Sequence, residues 1–506
     1  MTTRQNTIRN IRALFILLLV LSASAMAAVK PNPLFSDGAV LQQETHIPVW
    51  GTAKEGEKVT VKFDGQEVST TAKDGKWKVK LPAHKAGGPF TLTISGENTI
   101  TITNVLVGEV WVCSGQSNMA FPLASAANAA AEIPTANYPN VRMFTVPMKC
   151  SASPQEEAAG RWGSCTPRNA PGFSAVGYFF GRDLFKTRSV PVGMIHSSWG
   201  GTPAQAWTSR SGFGMSPELK VYTDRLTNAV ATYLKEVDEY RGVIEKFQAK
   251  YGRPSAPAAA VPSWEDLPPA GPVSPFTTVS SPSVLYNGMI APLLPYAIRG
   301  VIWYQGEANS IDAGLYRTLF SCLIADWREK WGRGDFPFLF TQIAPHNAFP
   351  PELREAQFLT LARTTNTAMA VTIDIGDVQD VHPKQKEPVG ARLALAARAL
   401  AYGEKIEYSG PLYQGVKIDG NRVIISFTHI GSGLMAKDGE LKGFTIAGAD
   451  KKFLPAKAEI AGDTVVVSSG GVPAPVAVRY GWANAPEVNL YNKEGLPASP
   501  FRTEVK

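Results

Sequence analysis

Cysteine is scarce: four in 506 residues, too few for a disulfide-built scaffold. Cys150 and Cys165 flank a polar loop and are the pair that an oxidising compartment could join. Cys113 and Cys322 lie in apolar settings that suit buried thiols. No cysteine follows the N-terminal apolar run, which argues against a lipid anchor, and no later segment is apolar enough to cross a bilayer. Blocks of Lys and Arg interleaved with aromatics are missing, which argues against nucleic-acid binding. Histidine is rare too, with six in all, so the search for imidazole chemistry is short.

What is present is ample core material, 44% hydrophobic and 10% aromatic, in a chain long enough for two to four domains. Arg4, Arg9 and Arg12 precede an apolar run over 13–21, and Ala25-Met26-Ala27 offers a small-x-small cleavage site. Residues 1–27 are therefore expected to be a signal peptide, cleaved near Ala27, with a periplasmic or secreted product and no membrane attachment afterwards. Removing the three Arg that it holds takes the formal charge from +7 to +4.

Residues 28–104 carry short alternating strands, with Asp64-Gly65 and Asp74-Gly75 as hairpin turns, and predict a small β-sandwich. From 105 to 402 the pattern is strand–helix alternation. Apolar runs at 190–195, 298–304, 336–343 and 368–375 read as strands buried on both faces. Helical patterns over 173–186, 313–331, 353–363 and 388–402 lie between and after them. This predicts an α/β domain with a doubly wound parallel sheet, whose ligands bind at the carboxyl ends of strands. Residues 217–282 interrupt it as an insertion, helical at first and then rich in Pro, Ala and Ser. Strands return over 403–506 as a C-terminal β domain.

Gly115-Gln116-Ser117-Asn118-Met119 follows the apolar run 110–113. It puts a serine where a strand ends and a helix can begin, so that Ser117 is aimed at the open end of the sheet among backbone N–H groups. Three other strand ends carry polar, Gly-rich clusters: Ser198-Trp199-Gly200-Gly201-Thr202, Gln305-Gly306-Glu307-Ala308-Asn309, and Asp380-Val381-His382-Pro383. Of the six histidines, three lie in the flanking β regions. His196 precedes the Gly-Gly loop, and His346 sits in a Pro-rich loop where a structural role is the default. His382 follows an acidic strand end and precedes a helix, and is the candidate general base.

These four blocks in this order, the third taken as Trp303-Tyr304-Gln305-Gly306-Glu307, resemble the sialate O-acetylesterase-like branch of the SGNH hydrolases, over a span from about residue 30 to the C-terminus. The resemblance implies a flavodoxin-like sheet flanked by N-terminal and C-terminal β regions. It implies a serine esterase that removes O-acetyl groups from sugars, with no metal and no cofactor. The nucleophile then falls on Ser117 and the base on His382. The oxyanion hole falls on the backbone N–H of Ser117, the N–H at Gly201, and a side chain of the 305–309 loop, Asn309 or Gln305.

One departure from the family pattern matters. Where many SGNH enzymes carry Asp three residues before the catalytic His, this chain has Gln379. Asp380 is the preferred partner of His382, with Asp377 or a backbone carbonyl as alternatives. Gln116 and Asn118, together with Glu307 and Trp199, are the candidate substrate contacts. Trp303 and Trp207 could also stack on a pyranose, although strand-end tryptophans are more often wall.

The expected partner is an O-acetylated glycan or oligosaccharide, sialylated or of the xylan or xyloglucan type. Arg142, Arg161 and Arg210 are the candidates for holding an anionic sialate. Two rivals stand beside this reading. A non-catalytic carbohydrate-binding protein on the same fold would not need both Ser117 and His382. A broad arylesterase would release longer acyl chains as well as acetate.

Overall fold

Residues 28–251 and 267–504 are described by the computed structural model. The expected signal peptide, and residues 252–266 of the Pro-rich arm, lie outside the described residues. The apolar runs at 110–113, 192–195 and 338–340, with Gly300–Tyr304, form the middle of one large sheet, where a strand covered on both faces must be apolar throughout. Its strands follow the spatial order Trp162–Cys165, Tyr138–Thr145, Val192–Ser198, Thr99–Gly115, Gly300–Tyr304, Phe338–Thr341, Thr367–Ala370. All neighbours are parallel except the edge pair Trp162–Cys165 and Tyr138–Thr145. The five strands from Val192–Ser198 to Thr367–Ala370 take the order 2-1-3-4-5 when numbered along the chain. The order therefore reverses beside Thr99–Gly115.

Helices Ala175–Arg188 and Glu387–Tyr402 pack on one face of the sheet; Ala313–Trp331 and Pro351–Thr360 pack together on the other. Alternation along each strand decides which side chain meets which layer. Trp111, Ile302 and Leu339 join Phe179, Phe180 and Leu393, while Val112, Trp303 and Phe340 join Phe320, Trp327 and Leu353. The helices stop where the sequence supplies a left-handed cap, at Gly332 (φ 62°) and Gly403 (φ 70°). Arg182, on helix Ala175–Arg188, joins it to two other helices, bonding Glu132 of Ala129–Thr135 at 2.8 Å and Glu387, the first residue of Glu387–Tyr402, at 2.8 Å.

The N-terminal region has two sheets. One pairs Lys30–Pro31, Ile47–Thr52 and Lys76–Leu81. The other pairs Lys58–Phe63, Gln66–Thr71 and Gly87–Ser95 with the first half of Thr99–Gly115. That strand is 17 residues long and continues without a break into the large sheet, so the expected boundary after residue 104 falls inside it. The contact is buried and polar at its centre. Glu109 is fully buried, bonds Arg299 at 2.7 and 3.0 Å, and accepts from Gln42 and Gln43. After residue 403 three small sheets enclose a separate core around Val423, Ile446, Val465 and Phe501. Helix Lys220–Tyr251 forms the first part of the insertion.

Cys150 and Cys165 are not joined. All four cysteines are free thiols; Cys165 is buried with Ala136 in one core cluster, and Cys150 packs against the other.

Candidate active site

Thr99–Gly115 ends on a glycine for a steric reason. Gly115 adopts φ 139°, and a Cβ there would come within 2.1 Å of the Tyr304 carbonyl oxygen, so the two strand ends can lie side by side only without one. The Gln116 N–H then donates to that carbonyl at 3.0 Å, and the chain enters the helix Ser117–Ala120 with Ser117 half-buried at its first position. The helix is a single turn. Its contribution near Ser117 is that of individual N–H groups more than of a macrodipole.

The second loop closes over this turn. The Trp199 N–H donates to the Gly115 carbonyl at 3.1 Å, and Gly200 lies against Ser117. Gly201, at φ 71°, is exposed. Thr202 Oγ1 donates to the Trp199 carbonyl at 2.7 Å and accepts from Trp207 Nε1 at 2.9 Å. Trp207 and Trp303 are fully buried and form wall, leaving Trp199 as the half-exposed ring of the three.

The third loop is knotted to the first. Gln116 Oε1 accepts from the N–H of Gly306 at 3.3 Å and of Ala308 at 3.2 Å. Gln305 is fully buried, its amide nitrogen bonded to Asn309 Oδ1 at 2.7 Å and the Thr202 carbonyl at 3.3 Å. Asn309 Oδ1 also accepts from the Ala204 N–H, and Asn309 Nδ2 donates to Gln205 Oε1 at 3.0 Å.

His382 lies in the loop between Thr367–Ala370 and helix Glu387–Tyr402, and its imidazole is 38% exposed. The ring stacks on Phe121, just past the helix of Ser117, with centroids 6.4 Å apart. Asn118 Nδ2 donates to the Val381 carbonyl at 2.9 Å, which fixes the peptide before His382 to the residue after Ser117. Among the described residues no hydrogen bond joins Ser117 Oγ to His382; catalytic hydrogen bonds are often longer without substrate. Asp380 Oδ1 accepts from the His382 backbone N–H at 2.8 Å and stands 3.8 Å from Nδ1. Asp377 shapes the turn, accepting from the N–H of Gln379 and of Asp380; those two bonds hold its carboxyl below the usual range. Burial, then the charge of Lys386, lowers the His382 pKa, while Asp380 opposes the shift.

Gln116, Asn118 and Glu307, expected as substrate contacts, are instead buried between the loops, where protein groups take up most of their polar atoms. Asn118 Nδ2 also donates to Glu307 Oε1 at 2.6 Å, and Lys386 Nζ donates to Asn118 Oδ1 at 2.5 Å. Burial raises the Glu307 pKa, and burial pushes Lys386 down to about 7. Lys386 is the site residue that the sequence reading missed. Its one signal is a cation immediately before helix Glu387–Tyr402, where the helix dipole disfavours positive charge.

The other candidates fall outside. His196 is buried against Phe173, with Nε2 on Ser198 Oγ, and desolvation takes its pKa down to about 4. His346 packs on Phe349 and accepts from the Ala348 N–H. Arg142 is buried on the carbonyls of Pro139 and Gly38 and on Asn104. Arg161 is exposed, and Arg210 lines a cavity of about 930 Å³ beside helix Lys220–Tyr251. Among the described residues no group of three or more His, Cys, Asp or Glu is placed to hold a metal ion. None of the helices described is long and apolar enough to cross a membrane.

Residues 277–399 match the family described as carbohydrate esterase, sialic acid-specific acetylesterase. The chain is 32% identical to the sialate O-acetylesterase of Homo sapiens, over 91% of this chain and 90% of that protein. It is 31% identical to that of Rattus norvegicus, over 92% of each. Its fold is similar to the crystal structure of a carbohydrate acetylesterase from Xanthomonas citri, with TM-score 0.79 and 38% identity, covering 94% of this chain and all of that one.

Proposed function

Because the chain belongs to the sialate O-acetylesterase family and is a carboxylic ester hydrolase acting on acetylated carbohydrate, we propose that it works as a secreted serine esterase through an acetyl-serine intermediate. The observation that carries this reading is the Asn118–Val381 bond, which fastens the loop of His382 to the turn of Ser117. The 2-1-3-4-5 strand order supports a flavodoxin-like, SGNH-type sheet, with Ser117 at the end of the strand where that order reverses.

His382 takes the proton of Ser117 Oγ as the oxygen attacks the acetyl carbonyl. The tetrahedral oxyanion is received by the N–H of Ser117, the N–H of Gly201 and Asn309 Nδ2, whose second hydrogen is not used by Gln205. Gln305, locked between Asn309 and Thr202, holds Asn309 in place rather than donating itself. The tetrahedral intermediate collapses, the sugar oxygen leaves with the proton from His382, and the acetyl group stays on Ser117. Water, deprotonated by His382, then releases acetate and restores the serine. Asp380, 3.8 Å from Nδ1, is the group that steadies the imidazolium. Trp199 offers a face for a sugar ring.

Arg142 is engaged elsewhere and Arg210 lines the cavity beside helix Lys220–Tyr251, so only the exposed Arg161 of the three is left for an anionic sialate, which favours a neutral acetylated oligosaccharide. The test is acetate release from acetylated xylo-, xyloglucan and sialyl oligosaccharides, wild type beside Ser117→Ala. Release from one class that vanishes in the variant is the expected result. Equal release from both proteins would overturn the serine mechanism, and release from sialyl substrates alone would overturn the preference for a neutral sugar. Secretion is checked separately: the exported protein should begin close to Ala28.

A further inference from the structure

Lys386 has no part in the reaction as drawn, yet it is 1% exposed directly beneath it. Its ammonium donates to Asn118 Oδ1 and lies 4.8 Å from the centroid of the Phe121 ring and 5.3 Å from that of Tyr304. An ammonium over two aromatic faces and one amide oxygen is held without a direct salt bridge. Asn118 passes the constraint on, because its Nδ2 donates both to Glu307 and to the carbonyl before His382. Phe121 is shared, since the ring over which the ammonium sits is also the ring on which His382 stacks.

We propose that Lys386 is a positioning residue: with Glu307 it fixes the Asn118 amide that holds the turn of Ser117 and the loop of His382 in register, and it sets a positive charge over the Phe121 ring on which the imidazole stacks. This rests on the serine-esterase reading above. The groups that bear on His382 come from every side of the site. Asp380, on its own loop, favours the imidazolium, and Lys386, at the start of the following helix, opposes it. The turn of Ser117 presents only the uncharged Phe121, and Glu307, on the third loop, acts on Lys386. Lys384 and His346 act on the exposed Asp377. Lys386 carries its charge below a pKa of about 7, which is the range in which an imidazole titrates.

The experiment is the pH profile of kcat/KM on an aryl acetate, paired with an NMR titration of the His382 ring, assigned by its loss in His382→Asn. Lys386→Gln keeps a donor for Asn118 without the charge, and Lys386→Met removes both. In each, the acid limb and the ring titration should move up by about one pH unit, and Lys386→Arg should restore them. The plateau rate should fall further in Lys386→Met than in Lys386→Gln. Glu307→Gln, which retains an acceptor for Asn118 and removes the charge that keeps Lys386 protonated, should move the limb in the same direction and serves if the Lys386 variants do not fold. A ring titration unmoved in folded Lys386→Gln, or in Glu307→Gln if that variant alone folds, overturns the proposal. The titration needs no turnover, so failure of the esterase reading, seen as full activity in Ser117→Ala, is a separate result.

Discussion

Gly200 and Ser117 are in contact: a Cβ built on Gly200 would stand 3.3 Å from the Cβ of Ser117. Gly200 is also exposed, so a side chain added there crowds the nucleophile without disturbing the core. Gly200→Ala should lower kcat/KM on an aryl acetate by roughly tenfold and Gly200→Val by roughly a hundredfold, as expected for a misplaced reacting group. Melting temperature should hardly change. Wild-type turnover in Gly200→Val would mean that Ser117 is not the reacting group.

The two aspartates near His382 should separate cleanly. Asp380→Asn keeps the bond to the His382 N–H but loses the charge near Nδ1. It should reduce kcat by roughly 10²–10⁴, less than Ser117→Ala or His382→Ala. Asp377→Asn, which only alters a turn, should stay within about tenfold of wild type. The reverse ranking would move the third member of the triad to Asp377.

Gln116 joins two loops through one oxygen, and its loss leaves the N–H groups of Gly306 and Ala308 without that acceptor. Gln116→Leu should cost about 1–3 kcal/mol in urea unfolding and reduce activity with it. Gln116→Glu, which retains an acceptor, should recover most of the stability.

Glu109 offers a prediction in pH. Burial alone would raise its pKa, but the hydrogen bond and charge of Arg299, with Gln43 and Gln42, hold it below the ordinary carboxylate value. Its contribution to stability is therefore complete above the unfolded pKa of about 4.3 and is lost as pH falls through the lower folded value. Glu109→Gln should destabilise the protein by about 3 kcal/mol near neutrality. The gap to wild type in urea midpoint should narrow as pH falls below about 4.3.

Thiol counting tests the cysteine assignment. Unfolded protein under non-reducing conditions should titrate as four free thiols. In the native state Cys113 and Cys165 should resist alkylation, since both are buried, with desolvation raising Cys165 to about 12 and Cys113 higher still. A loss of two thiols on isolation would show that Cys150 and Cys165 find each other after all.

The sequence announced the central strands and the longer helices, and residues 313–331 show why. Leucines four apart at 315, 319 and 323, closed by Gly332, give a helix with the same limits as the one observed. Tyr138–Thr145 was not legible because it mixes Pro139, Asn140 and Arg142 with apolar residues. Arg142 is acceptable there only because Gly38 and Asn104, far away in sequence, take its guanidinium. The same limit applies to the site. The four blocks could be found by spacing, but whether Gln116, Asn118 and Glu307 face a substrate or one another depends on loops nearly 200 residues apart. Lys386 was hidden for the same reason, since a lysine earns attention only once its surroundings are known.

The 17-residue strand Thr99–Gly115 is one covalent rod built into two sheets, and Ser117 stands two residues beyond its end. A cut at residue 104 would sever that rod, and one upstream of Thr99 would strip its first half of its partners in Gly87–Ser95 and Val40–Gln42. The N-terminal region is therefore not an exchangeable module. Shuffled genes could gain or lose it only together with the beam that carries the nucleophile, and the two should melt as a single cooperative unit.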